Sequence, residues 1–307
     1  MIIPIKCEKF LGHWYSMPRK NYAVTVPTGG PQYPSTPTDW VAFPFVLVAT
    51  AKRNSGKTCA LTSFLKILHN MNRLDRLILV SPTYGNNTHY FHGLPLHPED
   101  VIEPSINAAQ EVIDKVEEEA YLYEDYYERT EKWKHMQKML RSKKNILEFV
   151  DDEMLTAFGP DLEKPTHKWG GRKPIIIAMF DDIQGTQVFS TRSKINYLTI
   201  KHRHIGETRH NSVGVNLMFA VQSYTSTGGT GLPRTIRSQI TQLIVFKTKS
   251  QKELDLIQEE AAGEVDRNTF FRLYEEATKA PYGFMTIDFA KKKCHPSMFR
   301  KCFSEFL

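Results

Sequence analysis

The chain has 307 residues, of which 41% are hydrophobic and 24% charged. That is enough apolar material for one large α/β core and too balanced a composition for an intrinsically disordered protein. The formal net charge of +6 is compatible with a polyanionic partner and does not by itself require one. No apolar run has the length of a membrane span, and Met1-Ile2-Ile3-Pro4-Ile5-Lys6 does not lead into a secretory signal, so no membrane span and an intracellular residence are expected. The four cysteines, Cys7, Cys59, Cys294 and Cys302, are widely separated and lack C-x-x-C spacing. They suggest reduced thiols rather than a zinc site or a disulfide framework.

Residues 1–40 carry scattered prolines, glycines and aromatics without a sustained period and read as an irregular arm. An apolar strand then begins at Phe45 and runs into Ala51-Lys52-Arg53-Asn54-Ser55-Gly56-Lys57-Thr58, followed by Cys59, Ala60, Leu61, Phe64, Leu65 and Leu68 at helical spacing. Strand, loop ending Gly-Lys-Thr, and helix together form a phosphate cradle. Loop and helix amides face the phosphates, Lys57 neutralises them, and the Thr58 hydroxyl reaches Mg²⁺. The pattern G-x-x-x-x-G-K-[ST] is met except that Ala51 stands at the first glycine, where a small side chain still permits close backbone approach.

A second buried strand is expected in Arg76-Leu77-Ile78-Leu79-Val80-Ser81-Pro82-Thr83, an apolar run stopped by its proline. Residues 105–158 contain neither glycine nor proline, and Val112, Val116, Ala120, Tyr123, Tyr127, Trp133, Met136 and Leu140 recur at near-helical intervals. This predicts a helical insertion over about 104–158, as one long helix or a hairpin. Its early acids and late bases, including Lys132, Lys138 and Lys143, suit the helix dipole; the basic end is either a solvated face or a DNA contact.

Further strands are expected at 174–180, 215–221, 242–246 and 283–288. Such continuous apolar runs imply a mostly parallel sheet covered on both faces. The first of them ends in Asp181-Asp182. Asp181 suits a Mg²⁺ site and Asp182 suits a base that activates water, although an aspartate pair could also cap a helix starting near Ile183. The strand at 215–221 ends in Gln222, a candidate sensor of the γ-phosphate or the attacking water. Positive charge arriving at the transition state could come from Arg203, Arg209 or Arg237. The stretch Arg192, Lys194, Tyr197, Lys201, His202, Arg203, His204, Arg209 and His210 mixes cations with an aromatic, the composition of a sequence-blind nucleic-acid groove. Lys291-Lys292-Lys293 and Arg300-Lys301 form a second basic cluster.

Taken in order, Asn54-Ser55-Gly56-Lys57-Thr58, Leu79-Val80-Ser81-Pro82-Thr83, Met179-Phe180-Asp181-Asp182, Arg209-His210, Gln222-Ser223, Leu232-Pro233-Arg234-Thr235-Ile236-Arg237 and the closing Phe284–Asp288 and Phe299–Phe303 segments resemble the FtsK and HerA superfamily of P-loop ATPases. Within it they resemble the genome-packaging ATPases of large nucleocytoplasmic DNA viruses and virophages. Asp182 stands where many members have glutamate. The resemblance implies a P-loop NTPase of the RecA/ASCE type over residues 41–307, with a mostly parallel central sheet flanked by helices and carrying the helical insertion. It also implies ATP and Mg²⁺, a homo-oligomeric ring (pentamer or hexamer), and packaging of double-stranded DNA into a capsid with a capsid or portal partner. Host cytoplasm, viral factory and virion would be the places of action.

On that reading Ala51, Asn54, Ser55, Gly56, Lys57, Thr58 and Cys59 bind nucleotide, and Thr58 and Asp181 bind metal. Lys57, Asp182 and Gln222 act in catalysis, with Arg209 or Arg237 supplied in trans. A HerA- or FtsK-like motor of repair or conjugation, and a nucleotide-gated, capsid-associated DNA-binding scaffold, are the alternatives. The water-activating pair Asp182 and Gln222 argues against a small-molecule kinase, and the lack of an Asn-Lys-x-Asp motif argues against a GTPase.

Overall fold

The computed structural model describes residues 41–141, 163–209, 211–225, 231–261, 265–290 and 297–307. All of them fall in one compact unit, Pro34–Leu307. The arm at 1–40 and the part of the expected insertion beyond Arg141 lie outside the described residues.

The chain runs through β1 (Val46–Thr50), α1 (Lys57–Asn70), β2 (Arg76–Val80), α2 (Tyr84–Phe91), β3 (Val101–Ile102) and α3 (Ala108–Arg141). It continues through β4 (Ile176–Asp181), α4 (Ile195–Lys201), β5 (Asn216–Val221), α5 (Arg234–Arg237) and β6 (Gln242–Phe246). It closes with α6 (Gln251–Ala261), α7 (Arg267–Ala277), β7 (Phe284–Asp288), β8 (Phe299–Lys301) and β9 (Glu305–Phe306). The sheet order is β3-β2-β4-β5-β1-β6-β7-β8-β9. The six strands from β3 to β6 are parallel, and β7, β8 and β9 add antiparallel to that edge.

Strand alternation sorts the core into two layers. Leu47, Ala49, Leu77, Leu79, Ile177 and Met179 pack with Leu61, Phe64, Leu65 and Leu68 of α1 and Phe91 of α2. Val46, Val48, Ile78, Val80, Ile176, Ala178 and Phe180 pack on the other face with Val112 and Val116 of α3, Leu198 of α4, Ile257 of α6 and Phe270 of α7. Because both faces are covered, the central strands read as unbroken apolar runs.

Several details depart from the sequence reading. Val101–Ile102, Phe299–Lys301 and Glu305–Phe306 add short strands that carry too few residues to show a period. The strand at 284–288 runs antiparallel to its neighbour. No helix starts at Ile183; a turn closed by Thr186 N–H donating to the Ile183 carbonyl at 3.1 Å leads into a 3₁₀ turn at Gln187–Phe189. Over its described length the insertion is one helix of 34 residues, about 50 Å at the α-helical rise. Its apolar stripe is buried continuously from Ala108 to Ala120; beyond that Met136 is buried again, while Tyr121, Leu122 and Tyr127 are exposed.

A buried ionic cluster anchors the start of α3 to the sheet. Arg76 of β2 donates to Asp100 at 2.7 and 2.9 Å and to Glu119 of α3 at 2.7 Å. Glu119 also accepts from Trp169 Nε1 at 3.1 Å and from Lys168, while Lys115 approaches Asp100 at 3.3 Å. Among the described residues, no helix is long and apolar enough to cross a membrane.

Candidate nucleotide-binding site

Register brings the candidate residues together. Thr50 at the end of β1 pairs with Val221 at the end of β5, and Asp181 at the end of β4 pairs with Ala220 of β5. Ala51–Thr58, Gln222 and Asp181-Asp182 therefore leave the carboxyl edge of three adjacent parallel strands, the usual place for a ligand in such sheets. The loop after β1 turns at two left-handed residues, Asn54 (φ 59°) and Gly56 (φ 84°). Asparagine tolerates that region and glycine occupies it without strain. Ala51 is not among the positive-φ residues; it is buried, and its N–H donates to the Val221 carbonyl at 3.0 Å. A small side chain is all that position requires. Gly56 caps α1, so the amides of Lys57, Thr58 and Cys59 precede the first intrahelical bonds and are available to phosphate.

A cavity of about 260 Å³ opens at this edge, lined by Asn54, Ser55, Gly56, Lys57, Thr58, Cys59, Asp181, Asp182 and Gln222. Lys52, Arg53, Thr83, Asn87 and Tyr90 complete its wall. Lys57 is 9% exposed. Burial pushes its ammonium below the usual lysine range, against the opposing pull of Asp181 and Asp182. Asp181 is 2% exposed, and burial holds its carboxyl above the usual range although Lys57 pulls it down. The Thr58 hydroxyl donates to Asp181 Oδ2 at 3.4 Å, while Asp181 Oδ1 is buried with no hydrogen-bond partner. An orphaned carboxylate oxygen beside a hydroxyl is costly to leave bare and fits a hard cation that takes oxygen ligands and retains water. Thr58 and Asp181 could hold Mg²⁺.

Asp182 takes a left-handed conformation, φ 54°, with its N–H donating to the Ala220 carbonyl at 3.3 Å. Its Oδ1 accepts from Gln222 Nε2 at 2.5 Å. With no helix behind it, the capping role is removed, and its carboxylate lines the cavity instead.

Two residues that sequence reasoning missed hold this arrangement. The Gln184 side chain accepts from the backbone N–H groups of Gln222 and Ser223, the latter at 3.0 Å, and donates to the Ser223 carbonyl at 2.8 Å. Glu253 of α6 is buried and accepts from Thr50 Oγ1 at 3.5 Å, Ser223 Oγ at 3.3 Å and the Tyr224 N–H. No local pattern marks either residue, since each acts on a strand end dozens of positions away.

The candidate arginines are not in this cavity. Arg209 lies against α3, where its backbone N–H donates to Glu124 at 2.9 Å and its guanidinium reaches Glu128 at 2.7 Å. Arg237 pairs with Glu260 of α6 at 3.2 Å and stacks over Tyr224 at 5.5 Å. Arg203 is exposed.

The basic stretch expected to contact a polyanion is only partly exposed. Arg192, Lys194, Tyr197, Lys201, Arg203 and His204 are exposed, whereas His202 is buried and its Nδ1–H donates to the Thr199 carbonyl at 2.8 Å. In the second cluster Arg300 is buried in an ion pair with Asp288, so it is a fold contact rather than a surface charge. His210 and Lys291-Lys292-Lys293 lie outside the described residues.

The site and the sheet are those of a P-loop NTPase in which the strand bearing Gln222 stands between the phosphate-loop strand and the strand bearing Asp181. No family model and no curated protein matches the chain. Among solved structures it is similar to the genome packaging NTPase B204 from Sulfolobus turreted icosahedral virus 2 in complex with sulfate, at 11% identity over 86% of this chain and 100% of that one, TM-score 0.42. It is also similar to the pCW3 conjugation coupling protein TcpA with ATPγS, at 15% identity over 85% of this chain and 60% of that one, TM-score 0.44. A third is the cytoplasmic domain of the Thermomonospora curvata type VII secretion ATPase EccC, at 14% identity over 86% of this chain and 25% of that one, TM-score 0.40. At identities and scores this low these likenesses carry neither residue roles nor activity to this chain.

Proposed function

We propose that this chain is an ATP hydrolase that drives double-stranded DNA through a homo-oligomeric ring, and that its task is packaging viral DNA into a capsid. The observation that carries the hydrolase is the Gln222–Asp182 bond of 2.5 Å beside Lys57 and the Thr58–Asp181 pair. Loop and helix amides bind the phosphates, and Lys57 neutralises their terminal charge. Gln222 fixes one carboxylate oxygen of Asp182, so the other can accept a proton from water in line with the γ-phosphate. When bound, Mg²⁺ supplies charge neutralisation of the phosphate oxygens.

The DNA reading is supported by the exposed cations and the exposed Tyr197 between Arg192 and His204. The packaging task, the pentameric or hexameric ring and the capsid or portal partner rest on the ordered motif resemblance. Asp182→Asn is expected to keep ATP affinity and lower turnover by about 10²-fold or more, the scale of a lost general base. Lys57→Ala is expected to lose nucleotide binding and, with it, DNA-stimulated turnover. Wild-type protein that binds ATP and never hydrolyses it, with duplex DNA present, would falsify the enzyme reading and favour the nucleotide-gated scaffold.

A further inference from the structure

The chemistry of the phosphate end lies on one side of β1, where β5 and β4 deliver Gln222, Asp181 and Asp182. A nucleotide whose terminal phosphate sits there must carry its base away from those carboxylates. On the opposite side of β1 come β6 and β7, and because β7 is antiparallel its start lies at the same edge as the ends of β1 and β6.

Tyr282 precedes that start. It is 71% exposed, and its backbone is left-handed at φ 61°, a conformation that a bulky residue occupies only when its surroundings impose it. The following turn imposes it: Gly283 N–H donates to the Ala280 carbonyl at 3.0 Å, and a Cβ on Gly283 would lie 2.7 Å from the Ala277 carbonyl oxygen. The ring is brought against the phosphate loop itself, since a Cβ on Gly56 would lie 3.2 Å from Tyr282 Cδ1. The core does not require this ring, because most of its surface is open.

We propose that Tyr282 is the base platform of the site, on which the purine of a bound nucleoside triphosphate stacks. The assignment rests on the phosphate-cradle reading of Ala51–Thr58 and adds the subsite for the other end of the ligand. An aromatic face offered at a fixed angle binds a base without needing a hydrogen-bond code.

The test compares Mg-ATP with Mg-tripolyphosphate, each measured by calorimetric titration of the full chain. Tyr282→Gly removes the ring and suits the left-handed backbone, so the unliganded melting temperature should not fall. ATP affinity should drop about tenfold while tripolyphosphate affinity stays unchanged, and Tyr282→Phe should retain wild-type ATP affinity. Unchanged ATP affinity in Tyr282→Gly, or equal losses for both ligands, overturns the platform while leaving the phosphate cradle intact. If wild-type protein binds neither ligand, the cradle reading fails and the platform fails with it.

Discussion

The imidazole of His202 is 2% exposed, with Nδ1–H held by the Thr199 carbonyl and Nε2 buried without a partner. Burial lowers its pKa from the ordinary 6.5 to about 4, with Arg203 and His204 adding to the effect. Between those values the unfolded chain takes up a proton that the folded chain refuses. Stability is therefore full above the unfolded pKa and is lost as pH falls from about 6.5 toward about 4. His202→Gln should remove about 2 kcal/mol of the stability lost between pH 7 and pH 4.5, measured by urea denaturation at each pH. An unchanged acid limb in the variant would show that other groups set it. The same residue marks a limit of sequence reading, because a histidine among lysines and arginines looks like a phosphate contact until its burial is known. Asp182 is the converse: the paired aspartates were legible, but the left-handed backbone and Gln222 contact that separate a base from a helix cap were not.

At the scale of elements, the strands most legible from sequence were β1, β2, β4, β5 and β6, whose burial on both faces leaves no polar alternation to confuse the pattern. The two-residue β3 and β9 exist through pairing with neighbours and carry no signal of their own. Helix α3 was legible in period, yet its anchorage was not, because Arg76, Asp100, Glu119 and Lys168 meet only in three dimensions. Glu119 is fully buried and holds three donors. Glu119→Gln should therefore cost about 3 kcal/mol by leaving the buried Arg76 short of counter-charge. A chemical denaturation difference below about 1 kcal/mol would mean the cluster contributes pairing geometry rather than stability.

For the whole molecule, the proposed ring turns on an arginine that would reach the cavity from a second copy. Arg209 is exposed beside α3, held by Glu124 and Glu128, and does not line the cavity at its own phosphate loop. A ring in which Arg209 completes the neighbour's site makes a specific forecast for mixtures. Mixing Arg209→Ala subunits, which keep an intact cavity, with Lys57→Ala subunits, which keep Arg209, should restore ATPase activity that neither variant shows alone, because the arginine of one completes the cavity of the other. A mixture no more active than its separate components, or an Arg209→Ala protein that is fully active alone, would leave Arg209 as an anchor for α3 and no more. One chain's sequence can nominate such a residue, but the geometry that decides its role belongs to two copies.

The end of β5 has almost no slack. Gln184 grips Gln222 and Ser223 from one side, and Glu253 grips Ser223 and Tyr224 from the other. Tyr224 in turn donates to Glu260 at 3.0 Å, the carboxylate that pairs with Arg237, and Glu253 and Glu260 both ride on α6. On the proposed hydrolase reading, such a clamped segment would act as a pushrod: a displacement of the Gln222 amide on loss of the γ-phosphate would load α6 and, through Glu260, Arg237.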